Sequence, residues 1–149
     1  MTLTEQLQQD MKSALKGGDK LALGTLRMAL AAIKRREIDD RGTLDDAAVI
    51  AVIEKLVKQG RDSEQQYRAA GRAELADKEA AEIEVLERYL PQPLSAAELD
   101  ALIRATVEST GAASVKDMGR VMGEIKQQAA GRADMGTVSK RVRDILAGG

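Results

Sequence analysis

Apolar positions recur at three- and four-residue steps along nearly the whole chain, the period of helices rather than strands. Thr2-x-x-Glu5 has the form of a capping box, and Leu3, Leu7, Met11 and Leu15 follow as one stripe that Gly17-Gly18 stops. Asp19 can cap a second helix whose Leu21, Leu23, Leu26, Met28, Leu30 and Ile33, with alanines between them, are apolar almost all round. A helix of that kind is expected to be buried on several sides. It runs out through Lys34-Arg35-Arg36 into a polar turn at Asp39-Asp40-Arg41-Gly42. Thr43 is the expected start of a long third helix, with Val49, Val52, Ile53, Leu56, Val57, Gly60 and Tyr67 on one face and Gly71 at its end. A fourth helix turns Leu75, Ile83, Leu86 and Leu90 inward and an acidic face of Glu79, Glu82, Glu84 and Glu87 outward.

Both prolines of the chain lie in Pro91-Gln92-Pro93. Proline removes a backbone donor and disfavours helix at the residue before it, so a domain boundary is expected near residue 94. Beyond it, Ser95-x-x-Glu98 opens a helix with Leu99, Leu102, Ile103 and Val107 inward, closed by Gly111. Ser114 is expected to cap the next, with Met118, Val121, Met122 and Ile125 inward and Gly131 at its end. Asp134 caps the last, with Val138, Val142, Ile145 and Leu146 inward. The predicted architecture is all-α: an N-terminal domain of about four helices over residues 1–94, then a small three-helix domain over 95–149.

Composition narrows the chemistry. The chain has 149 residues, no cysteine, no histidine, no tryptophan and no phenylalanine. Disulfides, thiolate nucleophiles and His- or Cys-ligated zinc are excluded, and so is a Ser-His-Asp triad. Neither a G-x-x-x-x-G-K-[ST] loop nor a G-x-S-x-G elbow occurs. A Ser–Lys pair is chemically open, yet Ser13, Ser63, Ser95, Ser109, Ser114 and Ser139 read as caps or surface residues. No catalytic residue, metal or cofactor is therefore expected. The net charge is −1 with 32% charged residues. No stretch is long enough to span a membrane, and MTLTEQLQQDMK lacks the form of a secretory signal, so the expected location is the cytoplasm.

Charge is unevenly placed. From Ser114 onward seven basic residues stand against four acidic ones. Lys116 and Arg120, four apart, are expected on one helix face opposite the apolar stripe, and Arg132 in the turn before the last helix, whose N-terminus could receive a phosphate. Two readings follow: an anion-reading patch for an RNA backbone, or a solvated basic face. Gly119-x-x-x-Gly123 reads first as close packing with a neighbouring helix and second as room for a phosphate backbone. Lys34-Arg35-Arg36 suits a helix C-terminus, and Tyr67 alone makes no stacking platform.

Leu26-Arg27-Met28-Ala29-Leu30-Ala31-Ala32-Ile33-Lys34, then Leu56-Val57-Lys58-Gln59, Ala70-Gly71-Arg72, and above all Glu82-Ile83-Glu84-Val85-Leu86-Glu87-Arg88-Tyr89-Leu90-Pro91-Gln92-Pro93-Leu94-Ser95 resemble the YqeY family. Asp117-Met118-Gly119-Arg120-Val121-Met122-Gly123 and Gly131-Arg132-Ala133-Asp134 are similar to the tail module of the GatB subunit of tRNA-dependent amidotransferase. The resemblance implies a bacterial, tRNA-associated accessory protein. Its tail would contact tRNA through Lys116, Arg120, Arg132, Lys140 and Arg141, and it lacks the regions that phosphorylate and transamidate. An amidotransferase or an aminoacyl-tRNA synthetase is the implied protein partner, and any carbon–nitrogen ligase activity would belong to such a complex. The alternatives are a stimulator of glutamine-dependent amide transfer and a helical adaptor reading partner helices through the third and fourth helices. Oligomeric state is left open.

Overall fold

A computed structural model describes residues 1–129 and 132–148. Among them are seven α-helices, one 3₁₀ turn and no strand. The chain divides into two compact units, Met1–Leu90 and Pro91–Gly149. The division falls just before the proline pair rather than at residue 94. The Leu94 N–H donates to the Arg132 carbonyl (2.8 Å), and Arg132 Nε donates to the Gln92 carbonyl (2.9 Å). These bonds tie the proline segment to the second unit.

The first unit holds α1 (Leu3–Gly17), α2 (Lys20–Asp40), α3 (Asp46–Ala69) and α4 (Ala73–Glu87). Its core is Leu7, Leu26, Ala29, Ile33, Val49, Ile53, Val57, Ile83 and Leu86, with Tyr89 and Leu90 packed at its edge. Asp19 caps α2 through the Ala22 N–H, as expected, and Gly18 takes the left-handed conformation (φ 72°) that ends α1. The Leu3 N–H at the start of α1 donates to Asp46 on α3 (3.0 Å), so one helix supplies a cap to another.

Three expectations change here. Leu15 is 59% exposed, and Ala14 is buried in its place. Repeated four-residue steps drift by about 40° each, so three of them carry Leu15 off the core-facing side. The third helix starts from Asp45, whose carboxylate accepts the Ala48 N–H (2.9 Å), rather than from Thr43. And α2 is buried on one face only: Leu21, Met28 and Ile38 stay exposed. It also runs through Lys34-Arg35-Arg36 to Asp40, where Arg41 takes the left-handed cap (φ 54°).

The second unit holds α5 (Ala96–Thr110), a 3₁₀ turn (Val115–Asp117), α6 (Met118–Gln128) and α7 (Met135–Leu146) around Ile103, Val121, Ile125, Ala129, Val138, Val142 and Leu146. The capping box at Ser95 and Glu98 is complete in both directions (each 3.1 Å). Gly111 (φ 69°) ends α5, and Asp134 caps α7 through the Thr137 N–H (3.0 Å). Ser114 caps the 3₁₀ turn that leads into α6, and the helix ends at Gln128, with Ala129 as its cap. Gly131, the expected terminator, lies outside the described residues. Ile125 is fully buried; truncating it to alanine costs about 2–5 kcal/mol, a large share of the stability of so small a unit.

Candidate nucleic-acid interface

The five cations expected to meet tRNA all belong to the second unit, but they do not form one uniform patch. Arg141 lies on α7, and its guanidinium grips Asp100 of α5 with two bonds, Nε to Oδ1 at 2.7 Å and an η-nitrogen to Oδ2 at 2.8 Å. That fork holds the Asp100 carboxyl below its ordinary range, chiefly through the Arg141 hydrogen bond. Arg141 is first of all a strut between helices.

Arg132 is engaged as well. Its carbonyl and its Nε both bond the segment at Gln92 and Leu94. The N-terminus of α7 beside it already holds a carboxylate, because Asp134 accepts both the Thr137 N–H and the Thr137 hydroxyl (3.0 Å each). Asp134 caps this helix as expected, and a phosphate approaching the same N-terminus would meet its negative charge.

Lys116 and Arg120 are both exposed, but Lys116 sits in the 3₁₀ turn and not on α6. At three residues per turn, four-residue spacing across that junction does not define a helix face. Arg120 reaches back to Asp117 (2.8 Å) with its side chain still 61% exposed. Asp117 is held below its ordinary range, first by the Ala113 N–H, then by Arg120 and the Ser114 N–H. Such an exposed pair is a weak tie that Arg120 can leave for another anion. Lys116 and Lys140 are exposed, with no ion-pair partner among the described residues.

The outer side of α6 departs most from the reading made from spacing. A Cβ built at Gly119 or at Gly123 meets nothing within 4 Å. Among the described residues, neither glycine packs against a neighbouring helix. By helical rotation both share a face with Lys126 and Gln127, which are exposed, and Arg120 borders it. Lys126 was not among the expected contacts, although its seven-residue distance from Gly119 places it there.

A second feature escaped the sequence reading. Tyr89 donates to Asp10 (2.5 Å) across 79 residues of chain, at a cleft of about 670 Å³ in the first unit that Gln6, Ser13 and Arg88 also line. Burial first, and then this bond, push the Tyr89 hydroxyl well above the ordinary tyrosine range. The only available signal was that Arg88-Tyr89-Leu90-Pro91 lies inside the longest stretch of family resemblance.

No helix among the described residues is long and apolar enough to cross a membrane, and the described residues hold no cluster of acidic groups able to bind a metal ion. The fold and site define a two-unit helical protein whose tail unit carries an exposed, glycine-surfaced basic face.

The chain belongs to the YqeY family: the model of Yqey-like proteins matches residues 4–146. It is similar to "Altered inheritance of mitochondria protein 41, mitochondrial" of Pyrenophora tritici-repentis, 30% identical over 144 residues, 95% of this chain and 79% of the relative. The protein of the same name from Lachancea thermotolerans is 38% identical over 100 residues (65% and 54% of the two chains). That of Kluyveromyces lactis is 39% identical over 84 residues (56% and 45%). Of the last two the chain thus spans about half the length. These relatives are fungal and are named as mitochondrial, so the expectation of a bacterial, cytoplasmic protein does not stand.

Proposed function

We propose that the chain is a tRNA-associated accessory protein that holds the tRNA backbone and performs no covalent chemistry of its own. The observation that supports this reading is the outer face of α6. Two glycines there face open space, and Arg120 and Lys126 share or border that face, with Lys116 in the turn just before it. A glycine surface lets a sugar–phosphate backbone come close, and flanking cations neutralise its phosphates. Arg132 and Arg141 serve this face mainly by fixing the unit that carries it, through Gln92 and Asp100. Lys140, on α7, is the remaining exposed cation of the expected set.

The test is binding of the purified full chain to deacylated tRNA, at low and at physiological salt, against duplex RNA of matched length. The relatives' names make mitochondrial tRNA the first pool to use. Saturable, salt-weakened binding with preference for tRNA is expected. Reversing Lys116, Arg120 and Lys126 to glutamate should weaken it for every tRNA and lower the salt slope by about one for each phosphate no longer neutralised. Full affinity in that triple variant refutes the assignment.

A further inference from the structure

The solvent side of α2 carries a second helical seam that the core does not use. Leu21, Gly24, Met28, Ala31, Arg35 and Ile38 follow one another at steps of three, four, three, four and three. That is the a/d spacing of a coiled-coil strand. All six are exposed, Leu21 at 36%, Met28 at 41% and Ile38 at 66%. Lys20, Arg27 and Lys34 stand seven apart along one edge of this seam, at the positions that flank a coiled-coil interface, and they too are exposed. From Lys20 to Arg36 the helix has five basic residues and no acidic one. The opposite edge, Thr25 and Ala32, turns toward the protein's own core.

We propose that this seam docks an amphipathic helix of a partner protein, one with an apolar a/d stripe and acidic flanking positions. The small residues Gly24 and Ala31 let the incoming helix approach closely; a Cβ at Gly24 meets nothing within 4 Å. Apolar residues of the partner cover Leu21 and Met28, and its carboxylates meet Lys20, Arg27 and Lys34. A second copy of this chain is a poor occupant. Antiparallel pairing would set one basic row against another, and parallel pairing would need the edge that faces the core. This surface belongs to the first unit and the α6 face to the second, and it lies on α2 rather than on the third and fourth helices expected of an adaptor.

The experiment uses the full chain and two designed three-heptad peptides with leucine at a and d. One has glutamate at every flanking position and the other lysine; like-charge flanks keep each from pairing with itself. Fluorescence anisotropy should show saturable binding of the glutamate peptide and none of the lysine peptide. In the triple variant K20E/R27E/K34E the glutamate peptide should bind at least about tenfold more weakly, and the lysine peptide should gain affinity. Met28→Asp should abolish both interactions. All these positions are exposed, so unchanged helical circular dichroism is expected in every variant. Equal binding of the two peptides, or of neither, overturns the proposal. So does a loss of tRNA affinity in the triple variant with peptide binding intact, which would make the row a nucleic-acid contact. A concentration-dependent dimer that Met28→Asp dissociates would name a second copy as the occupant and also overturn it.

Discussion

Replacing Gly123 with alanine should make the protein more stable and a poorer tRNA binder. Gly123 lies in the interior of α6, its φ is not positive, and an added Cβ meets nothing within 4 Å. Glycine inside a helix costs about 0.8–1 kcal/mol relative to alanine, because it loses more backbone freedom on folding. With no clash to offset the gain, Gly123→Ala should return nearly all of it. Gly119 is the second residue of the helix, where propensity counts for less, so its change should add about half as much. The pair should then gain about 1.2–1.5 kcal/mol. For a unit of this size, 1 kcal/mol shifts the melting temperature by about 4–8 °C.

Amide hydrogen exchange at Val121 and Ile125, both fully buried on α6, reads the stability of this unit apart from the first. Slower exchange in the double variant is expected, together with weaker tRNA binding, since two methyl groups now stand between helix and phosphate backbone. Unchanged or faster exchange would show that the outer face is not open. Slower exchange with full tRNA affinity would refute the close-approach argument even though the stability argument held. Gly60→Ala is the control: its Cβ would lie 3.1 Å from Cγ1 of Ile83, a buried core residue. Overpacking costs about 1–3 kcal/mol, so the helical gain is cancelled or reversed and a chemical denaturation midpoint should fall or stay put.

The two units should respond to acid with opposite sign. In the second, Glu98, Asp100 and Asp117 are held below their ordinary range by Ser95, Arg141 and the Ala113 N–H respectively; their contribution is complete above the unfolded carboxylate pKa and is lost as pH falls through the depressed values. In the first, burial raises Glu54 and Glu82, so their contribution is complete below the unfolded pKa and is lost as pH rises through the raised values. Hydrogen exchange between about pH 6 and pH 3 should therefore show α5–α7 loosening before α3–α4; simultaneous loosening would count against these assignments. Arg141→Ala should leave Asp100 without its fork, flatten the acid limb of the second unit, and lower tRNA affinity no more than Arg141→Lys does if the residue is a strut. Tyr89→Phe removes the bond to Asp10 at a cost of about 1 kcal/mol, read in a urea midpoint, and a variant as stable as the parent would make that bond idle.

Local signals carried the helices. Asp19, Ser95, Asp134, Gly18 and Gly111 each act within a few residues of themselves, and each caps or ends a helix as its type predicts. The failures are of two kinds. One is a misplaced cap: Thr43 was the expected start of the third helix, and Asp45, two residues on, caps it instead by accepting the Ala48 N–H. Where a helix was rich in apolar residues, their abundance did not reveal that α2 spends part of them on a solvent-facing seam. The spacing of three and four that marks this seam was present in the chain, but it overlaps the core-facing residues, and only burial separates the two.

The basic tail shows why a site is harder to read than a fold. Composition located a surplus of positive charge, and it could not say which cations were already committed. Arg141 finds Asp100 across 41 residues of chain and Arg132 finds Gln92 across 40, contacts that no local spacing encodes. Once those two are assigned to holding the unit together, the exposed positive charge left near the open glycines of α6 is Lys116, Arg120 and Lys126, with the exposed Glu124 one turn beyond Arg120. Reversing Arg132 or Arg141 would therefore disturb folding and binding together. Reversing Lys116 and Lys126, which carry no such duty among the described residues, changes charge alone, and a loss of tRNA affinity there is the result that would distinguish a phosphate-reading face from a merely solvated one.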